Sequence, residues 1–171
     1  VYLHECSPAD MAGTTMPGNS ADNGGAIDTS GNLSVADCNI SGNKANYGGG
    51  IFVNESAAAD ISNTIFRSNN ASAIFDGDNI AAGNGGALYT NDETYSNIAI
   101  NNVQFHENNA EGGGFIYEED DAPASVVLLS GDNNTRPFTT SLNNFDINFT
   151  KGERATLYTV KIEYYVDTLD G

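Results

Sequence analysis

"LSVADCNISGNKA" (residues 33–45), "ADISNTIFRSNNA" (59–71) and "IAINNVQFHENNA" (98–110) superpose without a gap. Their aligned positions form columns: Leu33, Ala59 and Ile98; Val35, Ile61 and Ile100; Cys38, Thr64 and Val103; Ile40, Phe66 and Phe105. Three residues further on stand Asn43, Asn69 and Asn108, and two beyond those Ala45, Ala71 and Ala110. The N-terminal stretch joins through Met16, Asn19 and Ala21. The step between the last two asparagines is long because "SAIFDGDNIAAGN" (72–84) intervenes.

Glycine pairs follow the alanines: Gly24-Gly25, Gly49-Gly50, Gly85-Gly86 and Gly113-Gly114. Each leads a short apolar word, "AID", "IFV", "ALY" or "FIY", whose central residues predict a further column of Ile27, Phe52, Leu88 and Ile116. The first residues of each segment alternate apolar and polar, which is strand periodicity. Gly, Asn and Asp punctuate the strands, and these residues tolerate left-handed backbone angles. One such repeat cannot bury its own apolar side, but stacked repeats can. The expectation is an all-β protein, a right-handed parallel β-helix, because parallel crossovers are right-handed. The recurrent asparagines Asn19, Asn43, Asn69 and Asn108 are expected to form an inside ladder of amides.

The composition agrees with many similar corners: 23 Asn and 19 Gly in 171 residues. The net charge is −17. So acidic a chain repels nucleic acid and anionic membrane surfaces, and its electrostatic partners are cations or basic protein surfaces. No long apolar run or signal-peptide pattern is present, and the first ten residues read as a mature or cut start. Cys6 and Cys38 are expected to form one disulfide if the protein is secreted; the alternative is two reduced thiols with Cys38 buried as a small apolar residue.

"GGAI" (24–27) and "GGAL" (85–88), paired with "FRSN" (66–69) and "FHEN" (105–108), resemble the GGAI and FxxN repeats of the polymorphic outer-membrane protein family. The resemblance covers residues 14–117. It implies a β-helix displayed outside the cell for adhesion or structure, without catalysis. "GGGI" and "GGGF" put Gly where the family has Ala, and "ISGN" replaces the first FxxN. The family's C-terminal membrane barrel is not found in this sequence, so its anchoring is not carried over.

The expected organisation is a lead-in over 1–13, β-helix repeats over 14–130, and a β-rich extension over 131–171. After Tyr117 the repeat decays: "EEDDAPAS" (118–125) reads as an acidic loop, "VVLL" (126–129) as one buried strand, and "SGDNNTRP" (130–137) as a turn-rich break. The alternating segment from Phe145 reads as a short antiparallel hairpin around "TKGE", either a cap or the first hairpin of an immunoglobulin-like domain. The ending suggests a protein that continues.

Six N-x-S/T sequons, at Asn32, Asn39, Asn54, Asn70, Asn133 and Asn148, are candidate glycan acceptors; Asn54 and Asn70 are expected in loops. "FDGDN" (75–79) and "YEEDD" (117–121) are the candidate calcium words, through Asp76, Asp78, Glu118 and Asp120, although neither completes a calcium-loop motif. No cofactor is expected beyond that cation. For catalysis, Lys44 and Arg67 fall in different columns, His4 and His106 have no evident partner, and the column of Asp28 reads Val53, Tyr89 and Tyr117, so no acidic pair builds up. An ice-binding face needs an even outward threonine row, but Thr29, Asn54, Thr90 and Glu118 are irregular. Tyr89 and Tyr117 share a column that suits either an aromatic patch or ordinary packing. The expected role is non-enzymatic: a rigid structural or adhesive segment of a larger cell-surface or filament protein. Its expected partners are other copies, other extracellular proteins or glycans. The alternative is a carbohydrate-binding or polysaccharide-processing β-helix.

Overall fold

The computed structural model describes residues 1–3, 8–54, 57–72, 74–76, 79–81, 83–91, 97–111, 116–119, 124–126 and 129–132. Among them the secondary structure is all β, without a helix. Strands are numbered in chain order. The first sheet holds β1 (Tyr2–Leu3), β4 (Ile27–Thr29), β8 (Ile51–Val53), β14 (Leu88–Asn91) and β18 (Ile116–Glu119). The second holds β2 (Ala9–Ala12), β5 (Leu33–Ala36), β9 (Ala58–Ser62), β15 (Asn97–Asn101) and β19 (Ala124–Val126). The third holds β3 (Thr15–Pro17), β6 (Asn39–Ser41), β10 (Ile65–Arg67), β16 (Val103–His106) and β20 (Leu129–Asp132). A narrow fourth sheet joins β7 (Lys44–Ala45), β11 (Asn70–Ala71) and β17 (Asn109–Ala110).

Every pairing in these four sheets is parallel and joins equivalent positions of successive repeats. Ala59 stands between Leu33 and Ile98, and Ile61 between Val35 and Ile100. Phe66 stands between Ile40 and Phe105, and Ala71 between Ala45 and Ala110. Columns of the sequence are therefore rows of touching residues. Alternation sends Val35, Ile61 and Ile100, with Ile40, Phe66 and Phe105, into one shared core. The Phe66 and Phe105 rings stack with centroids 5.0 Å apart and planes 12° from parallel, near the offset arrangement aromatic pairs prefer.

Three positions per repeat adopt left-handed backbone angles. One column is Gly13, Asp37, Asn63 and Asn102, the next Gly18, Gly42, Ser68 and Glu107, and the third Gly24, Gly48 and Gly85. A non-glycine residue rarely accepts such an angle, and recurrence at equivalent places marks these as the bends between sheets. The residue after the third bend is glycine for another reason: a Cβ on Gly49 would run into the backbone carbonyl oxygens of Gly86 and Asn70. The recurrent pair thus meets one conformational demand and one demand for close backbone approach.

This bend corrects one expected column. Its glycine pair in the second repeat is Gly48-Gly49, while Gly50 fills the place of Ala26 and Ala87. Ile51, rather than Phe52, then joins Ile27, Leu88 and Ile116. Three consecutive glycines are identical to the eye, and only the bend distinguishes them. Phe52 instead stands between Asp28 and Tyr89, where Val53 was expected, and Val53 stands between Thr29 and Thr90.

Parallel pairing starts earlier and ends later than the sequence columns indicate. Residues 1–13, expected as a lead-in, contribute β1 and β2 to the sheets. "VVLL" is no single strand: Val126 ends β19 beside Ile100, and Leu129 opens β20 beside Val103. Residues 130–132, expected in a turn-rich break, continue β20. The expected antiparallel extension lies, past Asp132, outside the described residues. The insertion forms an antiparallel hairpin of β12 (Ile74–Asp76) and β13 (Asn79–Ala81), with Asp76 opposite Asn79. On either side of it the repeat register resumes, since Ser72 N–H donates to Ala45 O and Asn84 pairs with Tyr47.

Phe66→Ala and Phe105→Ala should each lower stability by about 3–5 kcal/mol, because each opens a cavity in the stacked core. Urea unfolding followed by circular dichroism checks this. Since the rings touch, the double variant should lose less than the two single losses together.

Candidate functional site

The polar feature the sequence singles out is a continuous amide ladder. Asn43, Asn69 and Asn108 are fully buried, and Asn19 at the first repeat is exposed. The Asn43 Oδ1 accepts from the Asn19 backbone N–H and from its Nδ2, both at 2.9 Å. The Asn69 Oδ1 accepts the same two bonds from Asn43, at 3.1 and 2.9 Å, and the Asn108 Oδ1 accepts them from Asn69, again at 3.1 and 2.9 Å. The remaining amide hydrogen turns back to the main chain: Asn43 Nδ2 donates to Met16 O, Asn69 Nδ2 to Ile40 O, and Asn108 Nδ2 to Phe66 O. A buried amide is costly unless its donors and acceptor are met, and here each rung satisfies its neighbour.

Cys38 occupies a polar niche of similar logic. The Thr14 hydroxyl donates to Ala12 O and the Thr64 hydroxyl to Ser62 O, and the Cys38 thiol makes the equivalent bond to Ala36 O at 3.2 Å. Cys38 N–H in turn donates to the Thr64 Oγ1 at 3.3 Å. The expected Cys6–Cys38 disulfide is accordingly overturned: Cys38 is a free, buried cysteine. Its side chain points to the core side as a substitute for threonine, which removes it from any crosslinking position. Cys6 lies outside the described residues.

The face of the first sheet opposite the core carries an aromatic group that the sequence columns missed. Phe52 and Tyr89 stack with centroids 5.2 Å apart and planes 6° from parallel, and Tyr47 tilts against Tyr89 at 5.1 Å. Phe52 is 5% exposed and Tyr89 3%, so this is a second packed cluster rather than a ready sugar platform. Tyr117 pairs with Tyr89 along the backbone, as the columns predict. Asp28 adjoins Phe52 in the same row; burial pushes its carboxyl above the ordinary range, partly offset by the nearby Val1 amine. Thr29 and Thr90 are buried, so the threonine row faces inward, with Val53 and not Asn54 between them. The Thr90 hydroxyl is buried without a hydrogen-bond partner.

The other candidates are dispersed. Asn32 and Asn39 are exposed, with Asn39 at the start of β6, while Asn54 is half-buried after β8. Asn70 is in β11 rather than in a loop; its Nδ2 donates to the Ser72 hydroxyl, and its Oδ1 accepts from Asn109 Nδ2 at 2.7 Å. Asn133 and Asn148 lie outside the described residues. Of the calcium candidates, Asp76 ends β12 and Glu118 lies within β18, in separate sheets, and Asp78 and Asp120 are outside the described residues. Among the described residues no group of three metal-ligating side chains comes together. Lys44 is exposed in β7 and Arg67 in β10, where Arg67 pairs along the backbone with His106. His106 is half-buried beside Gln104, and His4 is outside the described residues. Among the described residues no helix is long and apolar enough to cross a membrane.

Compared with family models, curated proteins and solved structures, the chain shows no match to any.

Asn69→Leu should strand the Asn43 N–H and Nδ2 donors in the core, at about 1–3 kcal/mol for each donor left unpaired, and chemical denaturation should show the loss. Asp28→Asn tests the buried carboxyl. A raised folded-state pKa means that wild-type stability is fullest in acid and falls as pH rises through that pKa. The variant should therefore melt higher than wild type at pH 7, with the difference shrinking in acid.

Proposed function

We propose that the chain is a right-handed parallel β-helix segment acting as a rigid structural or adhesive element outside the cell, without enzymatic activity. One observation carries this reading: each of three sheets takes one strand from every repeat, in unbroken parallel register from β1, β2 and β3 to β18, β19 and β20. Parallel strands joined through successive sheets favour a right-handed path. The buried amide ladder adds a fixed bond pattern between repeats, which suits a load-bearing rod. The GGAI and FxxN words support kinship with polymorphic outer-membrane protein repeats and hence surface display. In a secreted setting Asn32 and Asn39 are the sequons best placed for glycans, because both are exposed. Its partners in this reading are other copies, other extracellular proteins or glycans; no cofactor is assigned, and calcium at the acidic words is the cation to test.

The carbohydrate-processing alternative receives less support. The row around Asp28 brings Phe52 and Tyr89, not a second acid, to the carboxyl, and glycoside hydrolysis needs two facing carboxyls.

Incubation with acidic and neutral polysaccharides should release no new reducing or unsaturated ends, while small-angle scattering should give an elongated rigid particle. Release of such ends would overturn the structural reading in favour of the enzyme.

A further inference from the structure

The first repeat exposes what every later repeat buries. Thr14 is exposed where Cys38, Thr64 and Val103 are buried. Asn19 is exposed where Asn43, Asn69 and Asn108 are fully buried, and Ala21 is exposed where Ala45, Ala71 and Ala110 are buried. Val1 and Tyr2 are 62% and 64% exposed. Along β2 and β3 the backbone bonds to the second repeat come from Ala9, Gly13 and Gly18, and Thr14 O accepts from Asn39. The alternate residues Asp10, Ala12, Thr15 and Pro17 therefore turn their backbone groups to the open side. Among the described residues nothing donates to the Asn19 Oδ1, whereas each later ladder oxygen accepts two N–H bonds from the rung before it.

We propose that this edge, formed by β1, β2 and β3, receives the opposite edge of a second copy of the chain, with β18, β19 and β20 of that copy continuing the three sheets. The argument is continuity with an interface the chain already repeats. Each internal contact sets the leading edge of one repeat against the trailing edge of the one before, always in parallel. The ladder has the same polarity, with donors on the earlier rung and the acceptor on the later one. Two leading edges facing each other would oppose two acceptors, so head-to-tail addition fits and head-to-head does not. Such a contact is heterologous and open-ended, so it grows rather than closes. Pro17 moderates it. Its nitrogen faces the open edge without a hydrogen, a device that weakens strand addition at that point. The net charge of −17 on each copy opposes association further and is screened by salt.

This inference deepens the structural reading by naming what the rod joins; if it fails, a rigid monomeric spacer still stands. Sedimentation of the 171-residue chain across concentration and ionic strength tests it. The expected result is a mass that rises continuously above 17.9 kDa with concentration and with added salt. Pro17→Ser restores one edge donor and should tighten association up to about tenfold. Asn19→Ala should weaken it, and circular dichroism melts confirm that both variants remain folded. A monomer under all conditions would overturn the proposal. A mass that saturates at the dimer would overturn it too, as would growth indifferent to both substitutions.

Discussion

A buried primary amide has two hydrogens and one oxygen to satisfy, and in this protein that requirement fixes the spacing between repeats. The Asn69 side chain meets it only if another asparagine amide lies one strand spacing above and another one spacing below. Its remaining hydrogen must find the Ile40 carbonyl. Shift one repeat by a single residue and the rung loses its partners, while every neighbouring side chain turns to the other face of its sheet. The apolar rows, including the stacked Phe66 and Phe105, are free to vary in size, because dispersion and burial are non-directional. The amide is not, which is why asparagine recurs unchanged where the apolar rows accept Leu, Ala or Ile.

The bends are held more loosely. The two outer columns of left-handed residues contain Gly, Asp, Asn, Ser and Glu, so the conformation is conserved by geometry while the residue type drifts. Only the third bend is glycine in all three described repeats, and there a second restriction adds to the first, because the following residue sits against the backbone of the next repeat. Polar pairs line the outer side of the bends: Asn102 donates to Asn63 at 2.8 Å, and the Ser68 hydroxyl donates to Glu107 at 3.0 Å. These are exposed and contribute far less than the ladder.

The columns legible in the sequence were those with distinctive chemistry in every copy. Asn43, Asn69 and Asn108 with their alanines locate three repeats unaided, and the Phe66 and Phe105 rows follow from them. Registration failed where the residues carried no information: three consecutive glycines left Phe52 and Ile51 interchangeable until the bend was placed. It failed again at "VVLL", where four apolar residues hide a change of sheet. Cys38 was read as a crosslinker because cysteine has two roles, and only the row it shares with Thr14 and Thr64 shows that its thiol stands in for a hydroxyl. The Tyr47, Phe52 and Tyr89 cluster was invisible for a simpler reason: outward positions on a strand are expected to be polar, and burial on that side is a tertiary fact.

The hairpin of β12 and β13 has a consequence for how such a chain changes length over evolutionary time. It enters between Ser72 and Asn84, and the backbone bonds on both sides, to Ala45 and Asn46, are those an uninterrupted repeat would make. An excursion at this position is thus silent to the rest of the molecule. Insertions and deletions should accumulate at that one corner, while the short tract from each strand pair to its asparagine keeps a constant length. Diversity in outline and uniformity in spine would then come from a single corner of the repeat, without recourse to separate domains.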